Sequence, residues 1–478
     1  MSRAVELVRG GGMLKDGIVF AFGQMLTKIS FFLLIPLYVQ HMTVDQYGIV
    51  GYTQGFIIVG IALFGFGGVS FQERYFYELI DNDDSLRSMF FTVNVFSMCF
   101  SLTLGLLLCV LGYYFWKLTV PFDPYIILSV FIAYFSSLNQ FSISLNIPLR
   151  KSYNFVFEQF LHFLFISMFS LFFVVFCAME AKGYLIGVLL GNILFFLIFY
   201  RRFFYLYRGA FSFKWVALLL PFGAPIVLHS ISGTILSFID RVYIERNLDL
   251  SELGIYSLAS QAAMLITVFG ISMSRVWQPR FFQLMSKDLE RARFESRKMV
   301  FSWTCVGGIV TIVAISGSLF LAGLLFSPEY YRIIEVLPII LVSNFLTGLY
   351  FIFVTPLFYF KRTSLIPVIS VTSAVLNILF NILLVSRFGI VGAAVATLIS
   401  SGSMVLISFT LSRRMLKINL ERGRALFLNL LICIYLLMFT SVEAVNYKVL
   451  FSIIYCLIFF FISKALDIKT KYLSLDKG

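Results

Sequence analysis

Long apolar runs separated by short polar stretches dominate the sequence. About 20 consecutive apolar residues cross the hydrocarbon core of a bilayer as a helix, and fourteen segments of this kind follow one another along the chain. The pattern therefore predicts an all-α membrane protein with 14 transmembrane helices. The predicted segments are 17–39, 47–69, 88–115, 124–147, 154–177, 183–205, 215–239, 252–274, 299–326, 333–359, 364–386, 389–411, 425–442 and 448–465.

Composition excludes an ordinary soluble protein. Of the 478 residues, 60% are hydrophobic and 13% are charged, whereas soluble domains have roughly 45–50% apolar and about 25% charged residues. The net charge of +13 does not indicate a nucleic-acid partner, because the basic residues lie in short loops between apolar runs. Such a surface has to face lipid.

The distribution of Lys and Arg predicts the orientation. If the N-terminus is cytoplasmic, the cytoplasmic loops and termini carry 29 basic residues and the opposite side carries 7. Because cytoplasmic loops are enriched in Lys and Arg, we expect a multi-pass protein with both termini in the cytoplasm.

The chain repeats itself at an offset of 206 residues, where 47–49 corresponds to 253–255 and 71–76 corresponds to 277–282. Six predicted segments separate the two copies, so the halves have the same orientation, as in parallel transporter repeats. The repeat predicts two parallel six-helix lobes plus two C-terminal helices. The predicted divisions are an N-terminal lobe at 1–210, a C-terminal lobe at 211–415, and helices 13 and 14 with a cytoplasmic tail at 416–478.

Small residues recur every fourth position in the sixth segment. Gly183, Gly187 and Gly191 follow a GxxxGxxxG spacing, which lets helix backbones approach closely. We interpret the spacing as helix packing inside the protein, with a functional hinge as the alternative.

Polar residues inside the first segment are candidate substrate contacts. Lys28 lies about 11 residues from either end, or roughly 16 Å at 1.5 Å per residue, and Gln24 lies one turn earlier on the same face. A charge at that depth usually faces a cavity or a partner. Lys28 therefore either contacts an anionic headgroup in a central cavity or pairs with a structural carboxylate.

Two further pairs are candidates for coupling. Glu158 and His162 lie at i and i+4 in the fifth segment, and a carboxylate beside an imidazole can hold or pass a proton; the alternative is pairing of Glu158 with a loop cation. Asp240 and Arg241 end the seventh segment. They are either an interfacial ion pair or, through Asp240, a cation-coupling site or a gate.

Two arginines occupy equivalent positions in the repeats. Arg74 and Arg280 follow the second and eighth segments, at the predicted cytoplasmic mouth. Arginine suits bidentate contacts with phosphate, and the alternative is ordinary anchoring at the cytoplasmic interface.

Other function classes lack their motifs. The sequence has no Walker motif and no Gly-rich dinucleotide loop. The longest loop, 275–298, alternates charged and apolar residues and predicts an amphipathic helix at the interface. No loop is long enough for a soluble catalytic domain, so we expect no enzyme and no cofactor apart from a coupling proton or sodium ion.

These features resemble one transporter family across essentially the whole chain. The chain is similar to Wzx-type oligosaccharide flippases, the polysaccharide-transport branch of the multidrug, oligosaccharidyl-lipid and polysaccharide exporters. Besides the fourteen segments and the repeat, the resemblance rests on three stretches. They are Pro36 followed by Tyr47 and Gly48, Leu220 and Pro221 followed by 237–241 and 254–256, and the Gly-rich and Ala-rich run 388–394.

The resemblance implies a function. The two lobes would lie around a central cavity in a protein of the bacterial inner membrane. The substrate would be an undecaprenyl-pyrophosphate-linked oligosaccharide repeat unit, moved from the cytoplasmic to the periplasmic leaflet by alternating access. It would serve O-antigen, lipopolysaccharide or other surface polysaccharide biosynthesis, beside a polysaccharide polymerase and a chain-length regulator. The pair Asp240 and Arg241 matches the family pattern, and basic residues of the cavity would meet the pyrophosphate.

Two alternatives stay open. A cation-coupled multidrug exporter of the same superfamily typically has twelve spans and an acidic cavity, which disagrees with fourteen segments and Lys28. A membrane-embedded glycan polymerase or ligase needs a large extracytoplasmic loop, whereas the longest one here is 240–251.

Overall fold

The computed structural model describes residues 13–115, 120–206, 208–362 and 364–416, with scattered positions between 428 and 462. Within these ranges the regular structure is helical, without strands. The α-helices are α1 (Met13–Gln40), α2 (Val44–Gly65), α3 (Gly68–Leu79), α4 (Asp83–Phe115), α5 (Ile127–Ser144), α6 (Ser152–Leu171), α7 (Glu180–Leu206), α8 (Phe213–Asn247), α9 (Leu250–Lys287), α10 (Leu289–Leu325), α11 (Ile333–Tyr359) and α12 (Leu365–Leu416).

Most of these helices can cross a membrane. In the described part of the chain, nine helical stretches are long and apolar enough for this, and two shorter apolar stretches cover Met25–Gln40 and Phe213–Leu228. An all-α, multi-pass membrane protein is therefore confirmed. The count of fourteen stays a prediction, because most of segments 425–442 and 448–465 lies outside the described residues.

Helix α12 contains two of the predicted segments. Its 52 residues would measure about 78 Å at 1.5 Å per residue, far more than the ~30 Å of a hydrocarbon core. The helix is interrupted at Gly389, whose φ of 57° and ψ of −139° are not helical. Only glycine adopts such a conformation readily, and the predicted segments 364–386 and 389–411 meet at this point.

The predicted separate amphipathic helix over 275–298 is wrong. Helix α9 continues without interruption to Lys287, because Trp277 and Phe281 are buried and extend its packed face. Asp288 then begins α10, and its side chain accepts a hydrogen bond of 3.0 Å from the Arg291 backbone N–H. An Asp N-cap satisfies one of the open donors at a helix start. The loop thus consists of the ends of two long helices.

The chain forms two compact units, Met1–Gly254 and Ile255–Gly478. Helix α8 accordingly packs with the first unit. The predicted lobes, divided at 210 and 415, stay a prediction.

Contacts within the first unit give the relative directions of its helices. Phe20 packs on Phe155 with ring centroids 5.0 Å apart, and the Tyr38 and Ser170 hydroxyl oxygens lie 2.6 Å apart. Helices α1 and α6 are therefore parallel, as expected for the first and fifth spans of an alternating series.

The glycine stripe of α7 packs against α6. A Cβ atom at Gly187 would lie 2.3 Å from the Ser170 backbone, and one at Gly191 would lie 2.6 Å from Ile166 Cα. Larger residues would separate these two helices, so the predicted role of the stripe in helix packing is confirmed. The order of contacts also makes α6 and α7 antiparallel.

The second unit is built around Trp303, which is fully buried. Its indole N–H donates to the Phe345 carbonyl oxygen at 3.2 Å. Gly348 faces the ring so closely that a Cβ atom there would lie 1.9 Å from it. In the same unit α11 packs against the last part of α12, where the Ser343 and Ser401 hydroxyl oxygens lie 2.8 Å apart.

Candidate functional site

Lys28 lies on a face of α1 that is buried further along the helix. Ile35 and Val39 follow it by 7 and 11 residues, so the three side chains are nearly in line on a helix with 3.6 residues per turn. Ile35 and Val39 are only 2% and 1% exposed, whereas Lys28 is exposed. The face is therefore covered towards the C-terminal end of α1 and open around Lys28.

The apolar surface of α1 lies on another side. Its exposed large residues recur at intervals of four and are rotated by roughly 100–180° from Lys28 at 100° per residue. A lysine on that stripe would face hydrocarbon at a cost of about 2.5–3.5 kcal/mol, and the position of Lys28 avoids it. Gln24 lies in α1 one turn before Lys28, but its side chain is outside the described residues. The stripe consists of Ile29, Leu33 and Leu37.

Helices α2 and α8 pack closely along their length. A Cβ atom at Gly55 would lie 1.8 Å from the Phe238 ring, and one at Gly223 of α8 would lie 2.2 Å from the Phe66 carbonyl oxygen at the end of α2. These two contacts make α2 and α8 antiparallel. Gly48, on the same face of α2 as Gly55, contacts the start of α9 instead, where a Cβ atom would lie 2.2 Å from the Leu250 carbonyl oxygen. Small residues are thus required here for backbones to approach.

An aromatic cluster fills the middle of this contact. The Phe238 ring lies 5.5 Å from Phe56 and 5.7 Å from Tyr52, measured between centroids. Tyr52 is fully buried, and its hydroxyl lies within electrostatic range of Glu245 and Arg246 of α8. Aromatic packing here positions the charged end of α8.

Asp240 and Arg241 follow the aromatic cluster directly. Asp240 is 3% exposed and Glu245, five residues further along α8, is 2% exposed, while Arg241 is half-buried. Buried carboxylates require compensating partners, and both carboxylates and Arg241 have electrostatic or hydrogen-bonding contacts. Asp240 and Arg241 therefore lie in a mostly buried group of charged side chains that also includes Glu245. In the sequence this group follows the predicted seventh segment.

Arg74 lies on α3, the short helix that follows α2. Its guanidinium carbon lies 5.7 Å from the Tyr75 ring centroid and 5.6 Å from that of Phe222. It also forms a 3.9 Å ion pair with Glu78, and both side chains are more than half exposed. Such an exposed ion pair stabilises by roughly 0–1 kcal/mol, so it would compete weakly with a bound anion.

Arg280 has different surroundings from its repeat equivalent. It is exposed on α9, a helix that is continuous from Leu250 to Lys287. Before Arg74, in contrast, the chain leaves the helical conformation at Phe66 and Gly67, whose φ angles are 43° and 67°. The two arginines belong to different units, and sequence equivalence does not give them the same local structure.

Glu158 and His162 share α6 but have separate partners. Glu158 is 7% exposed and accepts a 3.0 Å hydrogen bond from the Asn146 side-chain amide. His162 Nε2 lies 3.0 Å from Asn192 Oδ1, and its ring packs 4.7 Å from that of Phe195. The carboxylate is thus held at the α5–α6 turn and the imidazole against α7.

Asn192 is a buried polar centre that the sequence reasoning missed. Its side-chain oxygen accepts from Ser136 at 2.9 Å, from Asn139 at 3.2 Å and from His162 at 3.0 Å. Because this oxygen is an acceptor, His162 Nε2 is the donor. The Asn192 amide nitrogen donates to the Val188 carbonyl oxygen at 2.9 Å. Neutral side chains thereby join α5, α6 and α7.

A comparison with family models identifies the chain. A model described as polysaccharide biosynthesis protein matches residues 13–285, more than half of the sequence. The chain belongs to this family. A second family model, described as MatE, matches residues 225–383 of this chain.

Two named relatives are similar to this chain. One is the Lsg locus putative protein 1 of Haemophilus influenzae, 23% identical over 381 residues, which cover 76% of this chain and 89% of that protein. Another is the probable low-salt glycan biosynthesis flippase Agl15 of Haloferax volcanii, 29% identical over 193 residues, which cover 40% of each chain.

Solved structures share the fold. The inward closed conformation of the lipid II flippase MurJ has a TM-score of 0.63 at 17% identity, over 92% of this chain and 98% of its own. An inward-facing multidrug resistance MATE family transporter of the MOP superfamily has a TM-score of 0.62 at 15% identity, over 82% and 98%. The chain therefore shares the fold of these two solved structures, while the two family-model matches and the Haloferax volcanii relative confirm the resemblance to polysaccharide flippases.

Proposed function

We propose that this protein is a flippase for undecaprenyl-pyrophosphate-linked oligosaccharide repeat units. It moves them from the cytoplasmic to the periplasmic leaflet of the bacterial inner membrane, for O-antigen or another surface polysaccharide. The observation that carries the proposal is the polysaccharide biosynthesis match over residues 13–285. The name of the Haloferax volcanii relative, a probable glycan biosynthesis flippase, supports the same substrate class.

The substrate poses a specific physical problem. A pyrophosphate and a polar sugar cannot cross hydrocarbon unaided, whereas the prenyl tail can remain in lipid. Lys28, on a face of α1 that is open at mid-span and covered beyond it, would attract the pyrophosphate into a central cavity. Gln24 would add a hydrogen bond from the preceding turn.

Further charges would act at other stages. Arg74 and Arg280 would receive the pyrophosphate at the cytoplasmic mouth, with the Arg74 guanidinium positioned against aromatic rings. Asp240 and Arg241 would act as a charged gate, and buried Asp240 would bind the coupling cation.

Direction requires a source of free energy. We propose removal of the sugar by a polymerase acting with a chain-length regulator, or exchange for a proton or sodium ion. Glu158 and His162 are the other candidates for coupling. Their separate hydrogen bonds to Asn146 and Asn192 favour a role for each alone rather than as a proton-sharing pair.

The test is glycan export by a Lys28→Ala variant in the native host. We expect loss of surface glycan with unchanged protein in the membrane, and recovery with Lys28→Arg, since the cation is what meets the phosphate. Lys182→Ala is the matched control, because Lys182 is exposed at the start of α7, away from mid-span. Wild-type glycan in Lys28→Ala cells would remove Lys28 from the mechanism.

A cation-coupled multidrug exporter is the second candidate. The MatE match over 225–383 favours it. Purified protein in proteoliposomes distinguishes the two: a flippase moves a fluorescent polyprenyl-pyrophosphate sugar between leaflets, whereas an exporter accumulates cationic dyes. Dye transport without lipid translocation would refute the flippase proposal.

A further inference from the structure

Tyr52 of α2 is a buried residue whose hydroxyl is not used for packing. The side chain is 0% exposed, and its hydroxyl oxygen has no hydrogen-bond partner within the described part of the chain. Buried polar groups are nearly always hydrogen-bonded, because leaving one unpaired is destabilising. A phenylalanine would fill almost the same space without that cost. The hydroxyl therefore indicates a role in a conformation other than this one.

The neighbours of Tyr52 hold its ring and not its hydroxyl. The ring centroid lies 5.1 Å from that of Phe56 and 5.7 Å from that of Phe238. Gly55 lies against the same Phe238 ring, so α2 and α8 approach closely at this point. Aromatic packing thus fixes the position of the ring on α2 and leaves the hydroxyl to a polar neighbour beyond the cluster.

Glu245 is the carboxylate next to this hydroxyl. It follows Phe238 by seven residues, two turns further along the same face of α8. Because α2 and α8 are antiparallel, Glu245 lies towards Tyr52 rather than towards Phe56. Glu245 is 2% exposed and within electrostatic range of the Tyr52 hydroxyl. It has contacts of its own, and the hydrogen bond between the two side chains is not formed.

Helix α8 contains the means of bringing the two groups together. Pro221 and Pro225 lie inside it, and sharp bends of helices occur mostly at prolines. Glu245 follows Pro225 by 20 residues, a lever of about 30 Å at 1.5 Å per residue. A bend of about 5° at Pro225 would therefore move Glu245 by roughly 2.6 Å on that lever. Such a displacement makes or breaks a hydrogen bond.

We propose that Tyr52 is a positioning residue for α8: in a second conformation of the first unit, its hydroxyl donates a hydrogen bond to the Glu245 carboxylate and stabilises that conformation. A hydrogen bond to an ionised acceptor away from water is among the stronger ones. This role rests on the proposed function in one respect, since a transport cycle requires a second conformation. Its first two tests use no substrate.

The first test compares the stabilities of two tyrosine variants by unfolding in sodium dodecyl sulfate. Tyr52→Phe should leave the free energy of unfolding unchanged or raise it, because the hydroxyl makes no bond in this conformation. Tyr200→Phe is the matched control, since Tyr200 is also buried but its hydroxyl donates to Asn94 Oδ1 at 2.9 Å. This second variant should be less stable than the wild-type protein.

The second test measures the position of α8 by double electron–electron resonance between two spin labels. Cys177, which follows α6, is exposed and takes one label; Asn247→Cys takes the other on the exposed end of α8, with the other five cysteines replaced by alanine. We expect two distances. Tyr52→Phe should lower the population of one of them about tenfold or more, the factor for losing a hydrogen bond to a charged group.

A double-mutant cycle identifies the partner. Glu245→Ala should lower the same population, and Tyr52→Phe combined with Glu245→Ala should lower it no further than the Glu245→Ala change alone. In proteoliposomes Tyr52→Phe should also slow lipid translocation, although it is as stable as the wild-type protein. A protein that moves no lipid but shows both distances and this coupling would refute the flippase function and support the bond between Tyr52 and Glu245.

Three results would overturn the role of Tyr52. Equal destabilisation by Tyr52→Phe and Tyr200→Phe would mean that the hydroxyl is already bonded in this conformation, for example to a water molecule. A single distance between the labels that Tyr52→Phe leaves unchanged would mean that no second conformation depends on the hydroxyl. Additive effects of Tyr52→Phe and Glu245→Ala would mean that the two side chains act independently.

Discussion

Replacing Asn192 with alanine should destabilise the first unit more than an ordinary Asn→Ala change. The side-chain oxygen of Asn192 accepts from Ser136, Asn139 and His162, and all three bonds are lost in the variant. Side-chain hydrogen bonds in membrane proteins contribute on average ~0.6 kcal/mol and at most ~1.7 kcal/mol. Asn139 keeps a 3.0 Å hydrogen bond to the Asn192 backbone carbonyl oxygen, whereas Ser136 and His162 lose their acceptor where no water can replace it.

Asn94→Ala is a closely matched control. Asn94 and Asn192 are both fully buried in helices, and each donates to the carbonyl oxygen four residues earlier. Asn94 differs in accepting from one side chain, Tyr200, at 2.9 Å. The costs of the cavity, of the lost bond to the carbonyl oxygen four residues earlier and of the change in helix propensity are therefore the same in both variants. Asn192→Ala loses two more side-chain hydrogen bonds than Asn94→Ala, which predicts a further loss of about 1.2 kcal/mol in its free energy of unfolding.

The measurement is reversible unfolding of the purified protein in mixed micelles with increasing sodium dodecyl sulfate, followed by circular dichroism. A double-mutant cycle with His162→Phe isolates the contribution of one donor, and we expect a coupling of about 0.6 kcal/mol. Equal destabilisation by Asn192→Ala and Asn94→Ala, with no coupling to His162, would refute the inference that Asn192 is the centre of a hydrogen-bonded network.

Three other changes test separate contacts. Gly55→Ala should lower the free energy of unfolding by about 1–3 kcal/mol, the usual range for overpacking, because a Cβ atom there would lie 1.8 Å from an aromatic ring. Gly65→Ala is the control: a Cβ atom at Gly65 has nothing within 4 Å, so this variant should be neutral in the same unfolding measurement. Arg74→Lys and Arg280→Lys should each reduce lipid translocation about tenfold or more if they hold phosphate bidentately, and full activity in both would indicate simple anchoring. If Asp240 couples protons, lipid translocation by the wild-type protein should respond to an imposed pH gradient. Translocation by the Asp240→Asn variant should not respond, although this variant should bind the lipid as tightly as the wild-type protein.

Helix positions could be predicted from sequence because hydropathy is a local property. An apolar run of sufficient length needs no knowledge of its neighbours to be recognised, and even the interruption of α12 at Gly389 separates two predicted segments. The stretch 275–298 was mispredicted because alternating charge conceals the continued burial of Trp277 and Phe281. Amphipathic helix ends and amphipathic surface helices have the same local pattern.

Polar partners could not be predicted in the same way. A single asparagine in an apolar helix shows that some partner exists, but the partner lies on another helix, 30 to 56 residues away for Asn192. Two signals were present: Asn192 directly follows Gly191, the last glycine of the packing stripe, and Ser136 and Asn139 lie three residues apart on one face of α5. Together they mark polar positions on helix faces that pack.

The polar groups of the first unit also indicate which of its helices resist bending. Hydrogen bonds centred on Asn192 join α5, α6 and α7, so distorting any one of them breaks bonds that the lipid cannot replace. Helix α8 contains Pro221 and Pro225. Each proline removes a backbone hydrogen bond of the helix and so makes α8 easier to bend there. Between these prolines a Cβ atom at Gly223 would lie 2.2 Å from a backbone oxygen at the break between α2 and α3. Bending is therefore expected to cost less at the prolines of α8 than within α5 to α7, which are expected to move as one body.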